Sequence, residues 1–591
     1  MSQKNLHFMP SQPKRHTLLD KFLALIESRK PSDRLFLRLL FFSLLALSIL
    51  FAFNLNRDNS FPTPTRGGTL IEGIIGIPRF VNPALAITRA DQDTVSLLYS
   101  GLMRIDSSGN LVPDIAESIT LSEDGTEYSI IVRKDRIFHD GTPITARDVV
   151  YTMKLVQDSN LKSPLRGNWS DVTVNEVGEY ELQVVLREAY SPFLENFTLG
   201  IMPLHIWSTL PIEQLPFSQH NTEPVGSGPF AIKQIKRNPS GLISSYVLQP
   251  ALNSESNPNL AAIELVFFQN EVDLEKAFTD KLINSTVYIP NERIAALATK
   301  AQIISHPMPR VFGIFFNQNR SPALRDKAAR EALSVAINRE ELIANVLSGY
   351  GVPTTKPILD AEVTLESSST DSVVNSSSSL DVARKILLAG NWEQNDLGFW
   401  EKKIGQTTET LALTIKTSNS SLFDRTVNLV AADWRELGVE VQVEQYEQTD
   451  LVQSVIRTRD FQALLFGLDM NRTQDLYPFW HSSQKDDPGL NISQYTNIAV
   501  DRLLEKTKNS QDQVERKQLL QEISTAISEE VPAIMLFAPS MVYVLDKSII
   551  TTPITGIGRP SDRFMNVSDW YAKTEILWPF FQTQNIVNDI N

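Results

Sequence analysis

The chain has 591 residues, with 55 Lys and Arg against 69 Asp and Glu, a formal charge of −14, and no cysteine. The length calls for about two to four folded units, and 42% hydrophobic residues with eight Trp and 29 Phe supply enough apolar mass to exclude global disorder. Without Cys there are no disulfides, thiolate metal sites, iron–sulfur clusters, thiol nucleophile or lipid-modified N-terminal Cys, and the acidic balance excludes the basic stripe of a nucleic-acid binder.

The charge is uneven. Residues 1–34 hold seven basic and three acidic side chains, a net +4, which leaves −18 on the rest. Residues 35–55 follow, with only Arg38, Ser43, Ser48 and Asn54 polar. The 17 residues from Leu39 to Leu55 reach the short end of the ~17–25 needed to cross a bilayer. The positive-inside rule places 1–34 in the cytoplasm and the large C-terminal part outside, at the cell surface or in a periplasm. A cleaved signal peptide competes with an uncleaved anchor. Phe51, Phe53 and Leu55 stand where small residues would mark a cleavage site, which favours the anchor. Residues 56–67 contain Pro, Gly and polar residues and read as a linker.

Farther along, residues 127–133 and 181–187 alternate as strands, with Tyr128, Ile130 and Val132 on one face and Leu182, Val184 and Leu186 on another. Thr145 and Asp148 form a capping box for a helix that carries Val149, Val150, Met153 and Val156. A helix is expected over 325–337, and a second over 424–437 with Val427, Val430, Ala431, Trp434 and Leu437 on one stripe. Gly438 should stop the second before an alternating strand at 439–445. The Ser-rich stretch 367–379 reads as a surface loop. Alternating helices and strands indicate an α/β class.

A search for catalysis yields little. The seven His are scattered, and there is no HExxH, Walker A, G-x-G-x-x-G or G-x-S-x-G. No cofactor is expected, and a binding protein fits better than an enzyme. Clustered His and Cys are missing, which disfavours a bare metal ion as cargo.

Three stretches carry a resemblance. Residues 118–156 include Phe138-His139-Asp140-Gly141, Pro143, Thr145-Ala146 and Asp148-Val149. Residues 224–230 read Pro-Val-Gly-Ser-Gly-Pro-Phe, and residues 311–344 run from a strand through Asn317 into a helix ending Ala-Ile-Asn-Arg. Together with matches at 381–392, 429–445, 529–537 and 555–556, these resemble the family 5 extracellular solute-binding proteins, the peptide receptors of ABC importers. The resemblance implies a two-lobed periplasmic-binding-protein (type II) α/β fold with an extra subdomain in lobe I. Lobe I would take 68–310, with the subdomain at about 100–220, and the return at 532–591. Lobe II would take 311–531, and the chain would cross between lobes near 309–317 and 529–538.

It also implies a monomer that captures a peptide by lobe closure and delivers it to membrane permease subunits, tethered to the bilayer through 35–55. Asp469 matches the lobe II aspartate that binds a peptide α-ammonium, although Phe466 stands where the family has Trp. Tyr477, Phe479 and Trp480, an aromatic run, are candidates to line the pocket, as are Tyr99 and Asn317, the latter also a hinge candidate. His139 and Asp140 are read as a structural turn. Alternatives are a surface sensor or scaffold without import, a receptor for an oligosaccharide, opine or metal complex, and a tethered hydrolase.

Overall fold

The structure, a computed structural model, describes residues 30–59, 61–252, 258–359, 376–552 and 556–577. The chain divides into a unit of 1–65 with 574–591 and a unit of 66–573. In the first, the helix Pro31–Asn59 contains the apolar stretch Leu35–Asn54, 20 residues of mean hydropathy 2.4. Among the described residues it is the one helix long and apolar enough to cross a membrane. Phe61–Thr65 pairs with Lys573–Leu577 in a two-stranded ribbon. The expected linker 56–67 is therefore helical up to Asn59 and a strand over 61–65. Most of the basic tail, residues 1–29, lies outside the described residues.

The second unit holds two lobes joined by one strand. Twelve strands form one connected sheet, and Ala533–Asp546, 14 residues long, belongs to both halves. Its first part pairs with Arg310–Phe316, beside Ala463–Asp469, Ala412–Ser418 and Glu440–Tyr446. Its second part pairs with Ala301–Pro307 and with Ser285–Thr286, beside Thr69–Ile75, Ala262–Phe268, Ile243–Pro250 and Phe230–Arg237. The chain crosses at residues 308–309 and 539–540, where the Met308 amide donates to the Pro539 carbonyl at 2.9 Å. Residues 310–316 and 533–539 are paired strands of the second half, the last three with Gly351–Pro353.

Each half has its own core. One gathers Leu70, Tyr246, Leu265 and Tyr543 with the subdomain; the other packs Ile314, Leu333, Trp434 and Phe537, with a neighbouring cluster around Phe315, Leu464 and Trp480. The subdomain is a four-stranded antiparallel sheet, Ala116–Leu121, Glu127–Val132, Glu181–Leu186 and Val172–Gly178, covered by the helix Ala146–Gln157 with its capping box.

The helix Ser421–Leu437 buries Val427, Val430, Ala431, Trp434 and Leu437. It stops at Gly438, whose φ of 97° only glycine adopts without strain. The helix expected over 325–337 starts later than its sequence pattern suggests. A 3-10 turn, Ala323–Arg325, comes first; Asp326 then caps Lys327–Val335 by accepting the Ala329 amide at 3.2 Å. A side-chain acceptor at the second residue of the pattern sets the boundary. In the Ser-rich stretch, 367–375 lie outside the described residues, and 376–379 open the helix Ser376–Ala389, anchored by Leu380, Ala383 and Leu387.

The C-terminal return is fixed by one buried ionic group. Arg563 is fully enclosed and forks onto two carboxylates, Asp93 at 2.7 and 2.9 Å and Glu72 at 2.9 and 3.2 Å. The Tyr543 hydroxyl donates to the other Glu72 oxygen at 2.8 Å. Arg563→Met strands two buried acids without their cation, which costs about 3–5 kcal/mol. Urea denaturation should show that loss; a loss under ~1 kcal/mol would mean the cluster is not what fixes this segment.

Candidate ligand-binding cleft

The wall of the cleft is assembled by the two stretches that stood out in the sequence. After the strand Glu127–Val132, the turn at 138–142 closes with Gly141 at φ 89°, and Asp140 accepts the Thr142 amide at 3.0 Å. Asp140 also meets the His205 Nε2 at 2.8 Å. His139 lies against the glycine turn at 224–229. The Gly226 amide donates to its Nδ1 at 3.2 Å, and its Nε2–H donates to the Gly228 carbonyl at 3.0 Å, so the ring is held as the neutral Nε2–H tautomer. The turn in turn sits on the end of the helix Arg89–Leu98: the Gly228 amide donates to the Leu98 carbonyl at 2.8 Å. A Cβ on Gly228 would stand 2.6 Å from the Tyr99 nitrogen, and one on Gly226 would strike the Leu98 carbonyl. These glycines serve a backbone-on-backbone contact.

Between the lobes lies a cavity of about 1860 Å³. One lobe lines it with Tyr99, His139 and the segments 186–200 and 558–569; the other contributes 469–473, 475, 478, 479, 490 and 508. This is larger than the ~300–1,000 Å³ usual for drug-sized ligands.

Of the residues expected at a ligand, Asp469, Tyr99 and Phe479 line this cavity. Asp469 ends the strand Ala463–Asp469, half exposed, and accepts a hydrogen bond from Arg310 at 2.6 Å. Tyr99 caps its helix, and burial pushes its hydroxyl pKa well above the usual range. The other four do not line it. Phe466 is three residues from Asp469, an odd spacing, so strand alternation turns it to the opposite face with Leu464 and Leu468. Trp480 is 1% exposed, packed near Phe315 and Tyr495. Tyr477 shares that side of its short helix, as i and i+3 residues do, and stacks on His481 at 4.3 Å. Asn317 is buried as a brace, donating to the Arg459 carbonyl at 2.8 Å and accepting the Asn319 amide at 3.1 Å.

Comparison with known proteins agrees with this architecture. Residues 110–489 match the family described as bacterial extracellular solute-binding proteins, family 5. The chain belongs to this family. Among curated relatives, it is 26% identical over 499 residues to the oligopeptide-binding protein AppA of Bacillus subtilis, covering 82% of this chain and 89% of AppA. It is 24% identical over 501 residues to a nickel-binding periplasmic protein of Escherichia coli, covering 78% and 87%. A solved structure of Bacillus subtilis AppA with a nonapeptide superposes with a TM-score of 0.61 at 24% identity, over 86% of this chain and all of that one.

Within this family fold, several wall residues carry no sequence signal that could have found them. Arg472, Tyr190, Glu195, Lys508 and Asp562 come from four separate stretches and meet only because the lobes do. Burial raises the Glu195 pKa, with the Arg472 cation opposing. Phe479, a candidate from the aromatic run, reaches the cavity beside Pro478, while Trp480 of the same short helix is buried in the core.

His139 gives the cleft wall a pH dependence. Burial holds its pKa below the ordinary 6.5, against the opposing pull of the Gly228 carbonyl and Asp140. The unfolded chain therefore takes up a proton first as the pH falls, and the stability His139 provides is complete above pH 6.5 and lost as pH drops through its lower native pKa. Melting temperatures of wild type and His139→Gln, measured from pH 7.5 down to 5, should converge on acidification; a gap that stays constant would remove this role.

Proposed function

We propose that this chain is a membrane-anchored receptor that captures peptides between its lobes and delivers them to the permease subunits of an ABC transporter. The observation that carries this reading is the cavity itself: about 1860 Å³, walled by both lobes, with the half-exposed carboxylate of Asp469 at its edge. A carboxylate there offers a charge-assisted acceptor to a peptide α-ammonium. The AppA complex with a nonapeptide, on the same fold, supports a peptide of some length as cargo. We place lobe I at 68–308 with the return from 540, and lobe II at 310–539, because residues 533–539 pair with strands of lobe II and Ser540 begins the pairing with Ala301–Pro307. The receptor acts without chemistry on its cargo and as a monomer.

The helix Pro31–Asn59 supports the anchor. At 1.5 Å per residue its 20-residue apolar stretch spans about 30 Å, the thickness of a bilayer core. The basic tail stays in the cytoplasm and residues beyond Asn56 lie outside. In cells carrying a chain tagged at both ends, both tags should appear on one membrane-bound polypeptide; a C-terminal tag on a shorter, soluble product would show cleavage instead.

Asp469→Asn tests the cargo. Because Asp469 and Arg310 are both about half exposed, their ion pair contributes at most about 1 kcal/mol, so the melting temperature should hardly move. Losing a charged hydrogen bond of about 1.5–3 kcal/mol should weaken binding of a free-amine peptide by roughly ten- to a hundredfold in calorimetry. N-acetylation of the peptide should cost the wild type as much. Unchanged affinity in both would remove Asp469 from the site.

A further inference from the structure

We propose that the two lobes are clasped across the cleft by protein side chains alone, with Arg472 of lobe II seated in a carboxylate socket of lobe I. The clasp contains no ligand atom, so it stands whether or not the cargo is a peptide. Arg472 follows Met470, whose amide donates to the Pro309 carbonyl at the interlobe crossing. Its guanidinium pairs with Asp562, lies 3.6 Å from Glu195, and donates to the Gly556 carbonyl at 2.8 Å. The socket is built to stay in place. Asp562 accepts the Gly558 and Arg559 amides, both at 2.8 Å, and its neighbour Arg563 is locked into the buried ionic group. A Cβ on Gly558 would lie 3.1 Å from the Arg472 Nη2, so only a small residue leaves the guanidinium its room.

Two further contacts extend the same line. The Tyr190 hydroxyl of lobe I donates to Asp475 of lobe II at 2.6 Å; burial, with Asp475 adding to it, keeps this hydroxyl protonated. Lys508 of lobe II meets Glu188 of lobe I at 3.1 Å. Their weights differ. Arg472 and Asp562 are each only 10% exposed, so water and salt screen them little. Glu188 is 71% exposed, so its pair with Lys508 contributes little. Arg472 and Tyr190 therefore carry the clasp. An equilibrium between lobe positions shifts by the free energy that distinguishes them, and opening the cleft must pull Arg472 out of its socket.

The chain lacks cysteine, so a spin-label pair can be placed without removing native thiols. Val177 in lobe I and Ile498 in lobe II are both exposed. Val177→Cys/Ile498→Cys in the full chain, in lipid nanodiscs and stripped of co-purified ligand, gives the interlobe distance distribution by pulsed electron resonance. In the ligand-free protein, Arg472→Gln should move it to longer and broader separations, and Tyr190→Phe should shift it the same way by less. Lys508→Gln should leave it nearly unchanged. Should Arg472→Gln fail to fold, Tyr190→Phe, which keeps the ring and loses only the donor, decides. Distributions identical to wild type in the folded variants would overturn the clasp, without bearing on what the cleft binds.

Discussion

The buried fork of Arg563 onto Asp93 and Glu72 is the constraint on which the cleft depends. It joins four pieces of chain that are remote in sequence: the strand Thr69–Ile75, the helix Arg89–Leu98, the long strand Ala533–Asp546 through Tyr543, and the return at 560–564. Its energetics are those of specificity more than of stability. Two carboxylates and a guanidinium taken out of water repay their desolvation only when every oxygen finds a donor, and here the bidentate geometry and the Tyr543 hydroxyl supply them. The reward is positional. The segment that carries Arg563 inward presents Ser561, Asp562 and Phe564 to the cavity, so locking the one fixes the others.

The second constraint is the strand shared by both lobes. A strand of 14 residues that pairs with lobe II at one end and lobe I at the other makes the hinge a matter of two short crossings. Backbone pairing resists stretching far more than twisting, so the freedom left to the lobes is rotation about residues 308–309 and 539–540. Hinge closure of this kind needs only a few residues to absorb the change in φ and ψ. Asp469 and Arg472 lie directly beyond this hinge, where a small rotation translates into a modest displacement.

Local elements were legible in the sequence wherever a single stretch of chain decides them. The strands at 127 and 181, the capping box at Thr145 and the Gly438 stop all follow from periodicity and φ alone. The role of His139 as a structural residue was legible too, though its partner was not: the two Gly-rich motifs are read separately, and only the fold shows His139 bonded to Gly226 and Gly228. The aromatic run at 477–480 divides, Phe479 reaching the cavity and Trp480 the core, because aromatics fill cores and pockets with equal ease and the turn of a four-residue helix decides between them. Phe466 misled for a simpler reason, since strand parity with Asp469 was available to exclude it. The linker read at 56–67 failed because its strand partner, Lys573–Leu577, comes from the far end of the chain.

These constraints bear on how such a cleft holds a ligand. A ligand that touches one lobe gains binding energy without favouring any lobe position, since only differential contact shifts a conformational equilibrium. Asp469 belongs to the lobe II sheet and its Arg310 partner to the first strand after the crossing, so an ammonium bound there is held beside the hinge and not across the jaw. Under the proposed reading, the remaining cargo reaches the lobe I wall around Tyr99 and His139, which both line the cavity, and it is contact with both lobes that shifts the equilibrium toward closure.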